Sequence, residues 1–360
     1  MCRATSDSYV QDRMSDLISL LRFPLMVTVV LLHCSFDLVM RNGMLEDSVC
    51  YADYTCFRLF VTEITNAAVA LFFVFSGYLF FRNGTLTLHS YGNKLQKRFY
   101  TILLPYLLWS IIYIALYFVA QLLLPTAMEG VMKPVTDFTM RDWFSCLWDV
   151  EDIARRNGPI VSQFWYLKEL MIAVVLAPLL YGGVRYIRGW FFLVLLAMYL
   201  LPVPSSTVVG ILFFTLGTYL GVYKINIMSV AYTYRWVSTL LFVGLTTMLI
   251  TLGCNIGVIY HLDSLLGAMA YVGWGTYILR TKHSRMPTIL AASSFFLFAY
   301  HQLPVRLVTK IAAPFIIESG FGYMVAQLVI CALMSAVGVG LYYILRTVLP
   351  RFTALLCGGR

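Results

Sequence analysis

Long apolar runs recur from one end of the chain to the other, and they constrain its fold more than any other feature. A helix needs about twenty consecutive apolar residues to cross the hydrocarbon core of a bilayer. Of the 360 residues, 60% are hydrophobic and 12% are charged, which lies outside the range of soluble domains. Because no backbone polar group can stay unpaired in lipid, these runs must be helical. The sequence therefore predicts an all-α, polytopic transmembrane bundle that forms a single integral-membrane domain over residues 1 to 360.

The apolar runs predict about ten membrane spans. The two short segments at 189–202 and 208–223 flank the turn-like sequence "LPVPSST", so they could instead form one hairpin that crosses the membrane imperfectly. The expected spans are residues 17–40, 66–82, 101–124, 163–181, 189–202, 208–223, 236–253, 263–280, 288–308 and 321–345.

Charge in alternate loops predicts the orientation of the chain. The segment after the second expected span carries basic residues and no acid, namely Arg82, Lys94, Lys97 and Arg98. The first loop instead sets four acids, Glu46, Asp47, Asp53 and Glu63, against Arg41 and Arg58. The positive-inside rule then predicts that both termini are cytoplasmic and that the acidic loops face outward. Topology accounts for most of the net charge of +9, and the basic residues form no nucleic-acid-binding motif.

The eight cysteines form neither a CxxC pair nor a cluster with histidine, so we expect no zinc or iron–sulfur site. Cys50 and Cys56 lie in the first acidic loop, where an oxidising compartment could join them. Their spacing leaves that pairing open.

The first expected span, "LRFPLMVTVVLLHCSFD", contains Arg22, His33 and Asp37. Arg22 and His33 are eleven positions apart, which at 100° per residue makes three turns plus roughly 20°, so both side chains project from one face, roughly 16 Å apart. Alone, Arg22 could snorkel to the headgroups and His33 could bond a neighbouring carbonyl. Together they indicate that this face of the helix lines a functional site, because ionisable groups inside a span usually face the protein interior.

Six segments in order resemble the acyltransferase 3 family of integral-membrane acyltransferases. They are the Arg22–His33 spacing, "AVALFFVFSGYLFFRNG", "KLQKRFYTILLPYLLW", "FWYLKELMIAVVLAPLLY", "FFTLGTYLGVY" and "SSFFLFAYHQLPV". There are departures: Ala70 stands where many members have Asp, so any polar role there is absent. We expect no SGNH-type domain after the last expected helix, and we expect transfer to be completed within the membrane domain.

The resemblance implies transfer of an acyl group, most often acetyl from acetyl-CoA, to a hydroxyl of a cell-envelope carbohydrate or a related molecule. The enzyme would lie in the plasma membrane, with lipids and a glycan or lipid-linked sugar as its partners and no metal. The donor's phosphates would stay at the cytoplasmic face. The expected donor-binding residues are Arg22, Lys94, Lys97 and Arg98.

The same resemblance makes His33 the expected general base, which takes the proton from the acceptor hydroxyl. Asp37 or Glu169 could orient its other ring nitrogen, although Asp37 could equally be a solvated boundary residue. Lys168 and Glu169 point in different directions on a helix, so we expect them to contact two different helices. His301, near the outer end of the ninth expected helix, is a further catalytic candidate or an interfacial histidine.

Two other functions stay open at this point. A transporter or flippase of lipid-linked sugars would share the spans and interior charges, and it should also show internal repeats and broken midplane helices. We find no repeat of the first half in the second. A catalytically inactive scaffold is also consistent with the residues. Direct transfer and transfer through an acyl-histidine are both open, as is the oligomeric state.

Overall fold

The computed structural model describes residues 2–36, 52–128, 130–199, 205–252, 257–281, 286–316 and 319–359, and these residues are helical apart from short connections. The α-helices are α1 Cys2–His33, α2 Ala52–Phe81, α3 Leu88–Arg98, α4 Leu104–Leu123, α5 Pro125–Met128, α6 Met140–Trp148, α7 Glu151–Ala154, α8 Trp165–Val175, α9 Ala177–Gly182, α10 Gly189–Tyr199, α11 Ser206–Val222, α12 Ile227–Thr233, α13 Arg235–Leu252, α14 Gly257–Thr281, α15 Thr288–Tyr300, α16 Gln302–Ala312, α17 Gly320–Val348 and α18 Pro350–Leu356. Short 3₁₀ turns form at Val135–Asp137, Ser162–Phe164 and Ala313–Phe315, and π-turns at Phe99–Leu103 and Gly183–Ile187.

A helix lies at each of the ten expected positions, which confirms a polytopic helical membrane protein. Within the described residues, five segments are long and apolar enough to span a membrane, and up to eight are if each of three broken helix pairs counts as one span. Among the residues that the structure describes, the number of clear spans is therefore lower than ten. The 11 residues of α10 are about half the length that a single crossing requires.

The chain divides into two compact units. The first comprises Met1–Thr87 and Leu176–Tyr343, and the second comprises Leu88–Val175 and Ile344–Arg360. Neither unit is one continuous segment of the chain. The expectation of a single domain over the whole chain stays a prediction.

In the first unit, α2 and α11 cross at two glycines. A Cβ atom added to Gly77 would lie 2.1 Å from the carbonyl oxygen of Phe214, and one added to Gly217 would lie 2.0 Å from that of Val74. The two backbones can approach this closely only because neither position carries a side chain. Two of the segments that resemble the acyltransferase 3 family, the Ser-Gly-Tyr and Phe-x-x-Gly sequences, therefore meet in three dimensions.

The second unit is held by polar contacts between aromatic side chains and backbone carbonyls. Trp109 Nε1 of α4 donates to the Leu356 carbonyl at 3.1 Å, and the Tyr106 hydroxyl donates to the Leu147 carbonyl. Tyr91 of α3 donates to the Val175 carbonyl at 3.0 Å, which aligns α3 with α8.

The second helix begins earlier than the hydropathy predicts. It starts at Ala52 instead of residue 66, and it includes Glu63, whose side chain is only 6% exposed. The interpretation of Glu63 as a loop acid was therefore wrong. The flanking sequence "FRLFVTEITNAAVA" is apolar enough to extend the helix, and the carboxyl group faces the protein interior, where ionisable groups inside spans are usually found.

Candidate active site

Arg22 and His33 lie on one continuous helix, α1, which also contains Pro24. Proline removes one backbone hydrogen bond and bends a helix without necessarily ending it. The helix continues past Pro24 to His33, so the sequence spacing between the guanidinium and the imidazole is kept along one element.

The Arg22 side chain is half-buried, and within the described part of the chain it forms no ion pair or hydrogen bond. Arginine carries five donors that match a carboxylate or phosphate, and it is always charged. An arginine without a protein partner inside a membrane helix is costly. Its guanidinium is therefore available to an anionic ligand.

A hydrogen-bond network fixes the end of α1 next to His33. The Phe36 amide donates to the Tyr54 hydroxyl at 2.8 Å, and that hydroxyl donates to Gln327 Oε1 at 2.8 Å. Gln327 Nε2 then donates to the Leu31 carbonyl at 2.8 Å. Gln327 is fully buried and Tyr54 is 1% exposed, so α2 and α17 hold the last turn of α1 from two sides.

His301 lies at the break between α15 and α16, where the helix axis turns by 68°. Pro304 in the first turn of α16 explains the break, because its ring crowds the carbonyl four residues earlier and it lacks an N–H. His301 is fully buried, and its Nδ1 lies 3.0 Å from the Leu297 carbonyl oxygen. A carbonyl only accepts, so Nδ1 is assigned as the donor. Among the described residues, Nε2 has no hydrogen-bond partner.

The structure brings His33 and His301 together. Their ring centroids are 5.2 Å apart and the ring planes are tilted by 40°. No described residue hydrogen-bonds the half-buried ring of His33. Two adjacent imidazoles, one with an unpaired buried nitrogen, form a site that can accept and return a proton. Sequence alone could not pair them, because they lie on helices that are distant in the chain.

Arg306 is a candidate site residue that the sequence reasoning missed. Its guanidinium is close enough to His33 for the two side chains to interact electrostatically, and it is exposed on α16. Arg306 and Lys310 occupy positions i and i+4 of this amphipathic helix, so they share one face. That pattern was visible in the sequence, but the interaction of Arg306 with His33 was not, because His33 lies on a helix far away in the chain.

The other expected donor-binding residues lie in the second unit. Lys94, Lys97 and Arg98 occupy α3, where Lys94 and Arg98 are half-buried neighbours and Lys97 is exposed. Arg98 also interacts electrostatically with Tyr166.

Glu169 also lies in the second unit and is 2% exposed. Lys168 Nζ approaches Glu169 Oε1 at 3.6 Å and also lies over the Trp148 ring, 5.0 Å from its centroid. Lys168 thus contacts α6 through Trp148 and also reaches its neighbour Glu169, and the expectation that the two side chains contact different helices stays a prediction. Glu169 as an orienting group for His33 stays a prediction.

Two expectations involve residues outside the described part of the chain. Asp37 and Cys50 are both in the undescribed segment, while Cys56 is described and exposed. The role of Asp37 and the Cys50–Cys56 pairing therefore stay hypotheses. Within the described residues, no group of three or more His, Cys, Asp or Glu side chains could hold a metal ion.

Comparison with known proteins identifies the family. Residues 16–343 match the family described as an acyltransferase domain, acyltransferase 3. A curated relative, the succinoglycan biosynthesis protein ExoH of Rhizobium meliloti, is 28% identical over 219 residues, which cover 58% of this chain and 55% of the relative. The chain thus spans about half the length of this relative. No solved structure matches the chain. Because the family match covers most of the sequence and both histidines, the chain belongs to the acyltransferase 3 family of membrane acyltransferases.

Proposed function

We propose that this acyltransferase moves an acyl group, in the first instance acetyl, from cytoplasmic acyl-CoA to a hydroxyl of a cell-envelope polysaccharide or its lipid-linked precursor. The contact between the His33 and His301 rings, 5.2 Å apart, is the observation that carries the proposal. The relative named for succinoglycan biosynthesis supports a carbohydrate acceptor.

The donor would bind through its phosphates. Arg22 has no partner among the described residues and lies roughly three turns from His33 on α1, a distance that the extended pantetheine arm can span. Lys94, Lys97 and Arg98 stay predicted donor-binding residues because of their charge. With both termini cytoplasmic, as the loop charges predict, Arg22 would face the cytoplasmic side and the histidines would face the outer side of the plasma membrane.

His33 would act as the general base. It removes the proton from the acceptor hydroxyl while the hydroxyl oxygen attacks the thioester carbonyl carbon. The C–O bond forms, the C–S bond breaks, and the CoA thiolate takes the proton back from the imidazole. No proton is gained or lost overall. His301 would support the ring of His33 by direct contact. An alternative route forms an acyl-histidine first, and the same residues would serve it.

Arg306 would stabilise the negative charge that develops on the thioester carbonyl oxygen. A fixed positive charge beside the reacting carbon acts on the tetrahedral intermediate more than on the neutral thioester, which is the condition for a rate gain. Its electrostatic interaction with His33 supports a location at the reacting end of α1.

The test is acetyl-CoA turnover by the purified full-length protein in liposomes with an envelope glycan as acceptor. We expect release of free CoA thiol and acetylated glycan, with both products lost in His33→Asn. A transporter or flippase would instead move lipid-linked sugar across the vesicle membrane without consuming acetyl-CoA, and that result would overturn the proposal.

A further inference from the structure

Two arginines contact the same tyrosine ring at one end of helices α12, α13 and α14, away from the histidines. Arg235 is the first residue of α13, and Arg280 lies near the end of α14. The guanidinium carbon of each is 4.4 Å from the centroid of the Tyr232 ring, so at most twice that distance separates the two carbons. Tyr232 belongs to α12, which turns by 110° from α11 and packs on α14.

Two further rings, both from α14, hold Arg235 in place. Its guanidinium carbon lies 5.9 Å from the Trp274 ring centroid and 5.4 Å from that of Tyr277, which is within the range of cation–π contacts. Gly273 allows α14 to approach this closely. A Cβ atom added there would lie 2.5 Å from the Ala231 carbonyl oxygen and 2.8 Å from Arg235 Cβ.

The arginine pair has no acidic partner in the described chain. Neither arginine forms an ion pair with a described residue. Asp263 is the one acid in α12, α13 and α14, which the structure describes throughout, and it lies more than four turns from Arg280 along α14. Asp16 of the neighbouring α1 forms no ion pair with a described residue either. The two positive charges are therefore not neutralised by the residues described.

The hydrogen-bond donors of the pair are mostly unused. Arg235 Nη1 donates to the Tyr232 carbonyl at 2.6 Å, whereas its Nε is buried without a partner among the described residues. Arg280 is exposed. A ring below a guanidinium leaves the N–H donors in the guanidinium plane available to oxygen atoms. Because two positive charges this close repel each other, a phosphate that binds both would remove the repulsion.

The helix beside the arginine pair faces lipid. Only 22% of α13 is buried within the protein, the smallest share among the five long spans of the described chain. Trp236 packs edge-on against Trp274, with the ring centroids 4.7 Å apart, and tryptophan is typical of the border between headgroups and hydrocarbon. A lipid whose phosphate contacts the arginines can therefore extend its acyl chains along α13. The exposed apolar side chains of this helix continue away from Arg235 at Val237, Leu240, Leu241 and Val243.

We propose that Arg235 and Arg280, held by the ring of Tyr232, bind the phosphate of one anionic phospholipid whose acyl chains lie along α13. Lys282 and Arg285 follow Arg280 in the sequence, and this run of basic residues predicts that this end of the helices is cytoplasmic. Anionic lipids give the cytoplasmic leaflet its negative surface, and basic sites between transmembrane helices suit their headgroups. A soluble nucleotide offers the same phosphate chemistry but no acyl chains for α13. The site does not depend on the assignment of the acyl-transfer residues.

Native mass spectrometry of the full-length protein in detergent, titrated with lipid, tests the site. We expect dioleoyl phosphatidylglycerol to bind more tightly than dioleoyl phosphatidylcholine, which has the same acyl chains and phosphate but also a positive charge. Arg235→Gln/Arg280→Gln should weaken phosphatidylglycerol binding by about thirtyfold, because each arginine beside an anionic lipid contributes about fivefold. Arg155→Gln/Arg351→Gln, which removes two exposed positive charges elsewhere, should bind this lipid like the parent protein.

Tyr232 offers a second matched pair of variants. Tyr232→Leu removes the ring that holds both guanidinium groups and should weaken phosphatidylglycerol binding, whereas Tyr232→Phe keeps the ring and should preserve it. If Arg235→Gln/Arg280→Gln does not fold, this pair and the comparison of the two lipids on the parent protein decide the matter.

Equal binding of the two lipids to the parent protein would overturn the proposal. Unchanged phosphatidylglycerol binding by the folded Arg235→Gln/Arg280→Gln protein, or an equal loss in Arg155→Gln/Arg351→Gln, would also overturn it. Acetyl-CoA is the soluble phosphate probe. If it displaces phosphatidylglycerol from the parent protein but not from the Arg155→Gln/Arg351→Gln control, or binds the arginine pair in the lipid's place, the pair is a nucleotide-phosphate site and the proposal is wrong.

Discussion

Gly77 of α2 and Gly217 of α11 occupy the same close helix crossing: a Cβ on Gly77 would lie 2.1 Å from the Phe214 carbonyl oxygen of α11, and one on Gly217 would lie 2.0 Å from the Val74 carbonyl oxygen of α2. These glycines belong to sequence segments that resemble the family, and the structure gives them a packing role. The α2–α11 crossing fixes α2, and α2 in turn supplies Tyr54 to the end of α1. These two family-like segments thus help to position the end of α1, although they do not contact His33 themselves.

Gly77→Ala should lower the melting temperature of the purified protein. The added methyl group meets a backbone carbonyl, which cannot rotate away, and such overpacking typically costs about 1 to 3 kcal/mol. Gly244→Ala on α13 is the matched control, because an added Cβ there has no atom within 4 Å. It should leave the melting temperature unchanged or raise it slightly, since alanine favours a helix by roughly 0.5 to 1 kcal/mol. Equal melting temperatures for both variants would contradict the close crossing.

Gln327→Met should lower kcat more than it changes the Michaelis constant for acyl-CoA. Methionine fills a similar volume, but it leaves the Leu31 carbonyl and the Tyr54 hydroxyl without their partner, and each unpaired group costs about 1 to 3 kcal/mol. The end of α1 should then be less well fixed beside His33.

Ser335→Ala, about two turns further along α17, removes a hydroxyl outside this network and should keep kcat. A Gln327→Met variant whose activity falls only in proportion to the amount of folded protein would show a purely structural role.

The helix positions and the Arg22–His33 spacing could be predicted because both depend on local periodicity, which survives in the folded protein. The histidine pair could not. His33 and His301 meet only through the packing of α1 against α15 and α16 and the bend that Pro304 introduces. Glu63 was misassigned for a related reason. Counting charges in loops assumes that a helix ends where hydropathy falls, but α2 already begins at Ala52. Glu63 is therefore buried in a helix that packs against α14.

The ion pair between Lys133 and Asp142, 2.8 Å long, should stabilise the segment between α4 and α8 except in acid. The Lys133 ammonium and the Thr139 amide and hydroxyl donate to Asp142 and lower its pKa to about 2. Because this pKa is below the ordinary value near 3.9, the stabilisation is complete above about pH 4 and is lost as pH falls toward 2.

Limited pepsin digestion across that pH range can follow the segment. Cleavage of the parent protein between residues 133 and 148 should increase as the pH falls, and Asp142→Asn should be cleaved readily throughout. Asp152→Asn, which removes the exposed pair with Arg141, should behave like the parent. A parent protein whose cleavage does not change with pH would refute this prediction.

Arg22→Ala should raise the Michaelis constant and dissociation constant for acyl-CoA. Loss of a charge-assisted contact to phosphate costs on the order of 1.5 to 3 kcal/mol, or roughly ten- to more than a hundredfold in affinity. Arg22→Lys should restore part of the affinity, because an ammonium keeps the charge without the two-pronged geometry. Arg351→Ala, which removes an exposed positive charge near the C-terminus, controls for general electrostatic attraction. If folded Arg22→Ala protein binds acyl-CoA as tightly as the parent, Arg22 does not bind the phosphates of the donor.

His33→Asn should abolish acyl transfer while preserving the fold. General-base catalysis is commonly worth about a hundredfold to ten-thousandfold in rate, and asparagine cannot accept a proton at neutral pH. No described residue hydrogen-bonds His33, and its ring is half-buried, so the substitution breaks no polar contact and loses mainly the packing against His301. His89→Asn, at an exposed position on α3, should keep full activity.

Melting temperature, acyl-CoA affinity and turnover measured on one preparation separate catalysis from packing. If His33 only packed against α15 and α16, His33→Asn would melt at a lower temperature and its folded fraction would stay active. A stable and active His33→Asn enzyme would show that the proton is removed elsewhere, and His301, with its unpaired Nε2, would then be the residue to test.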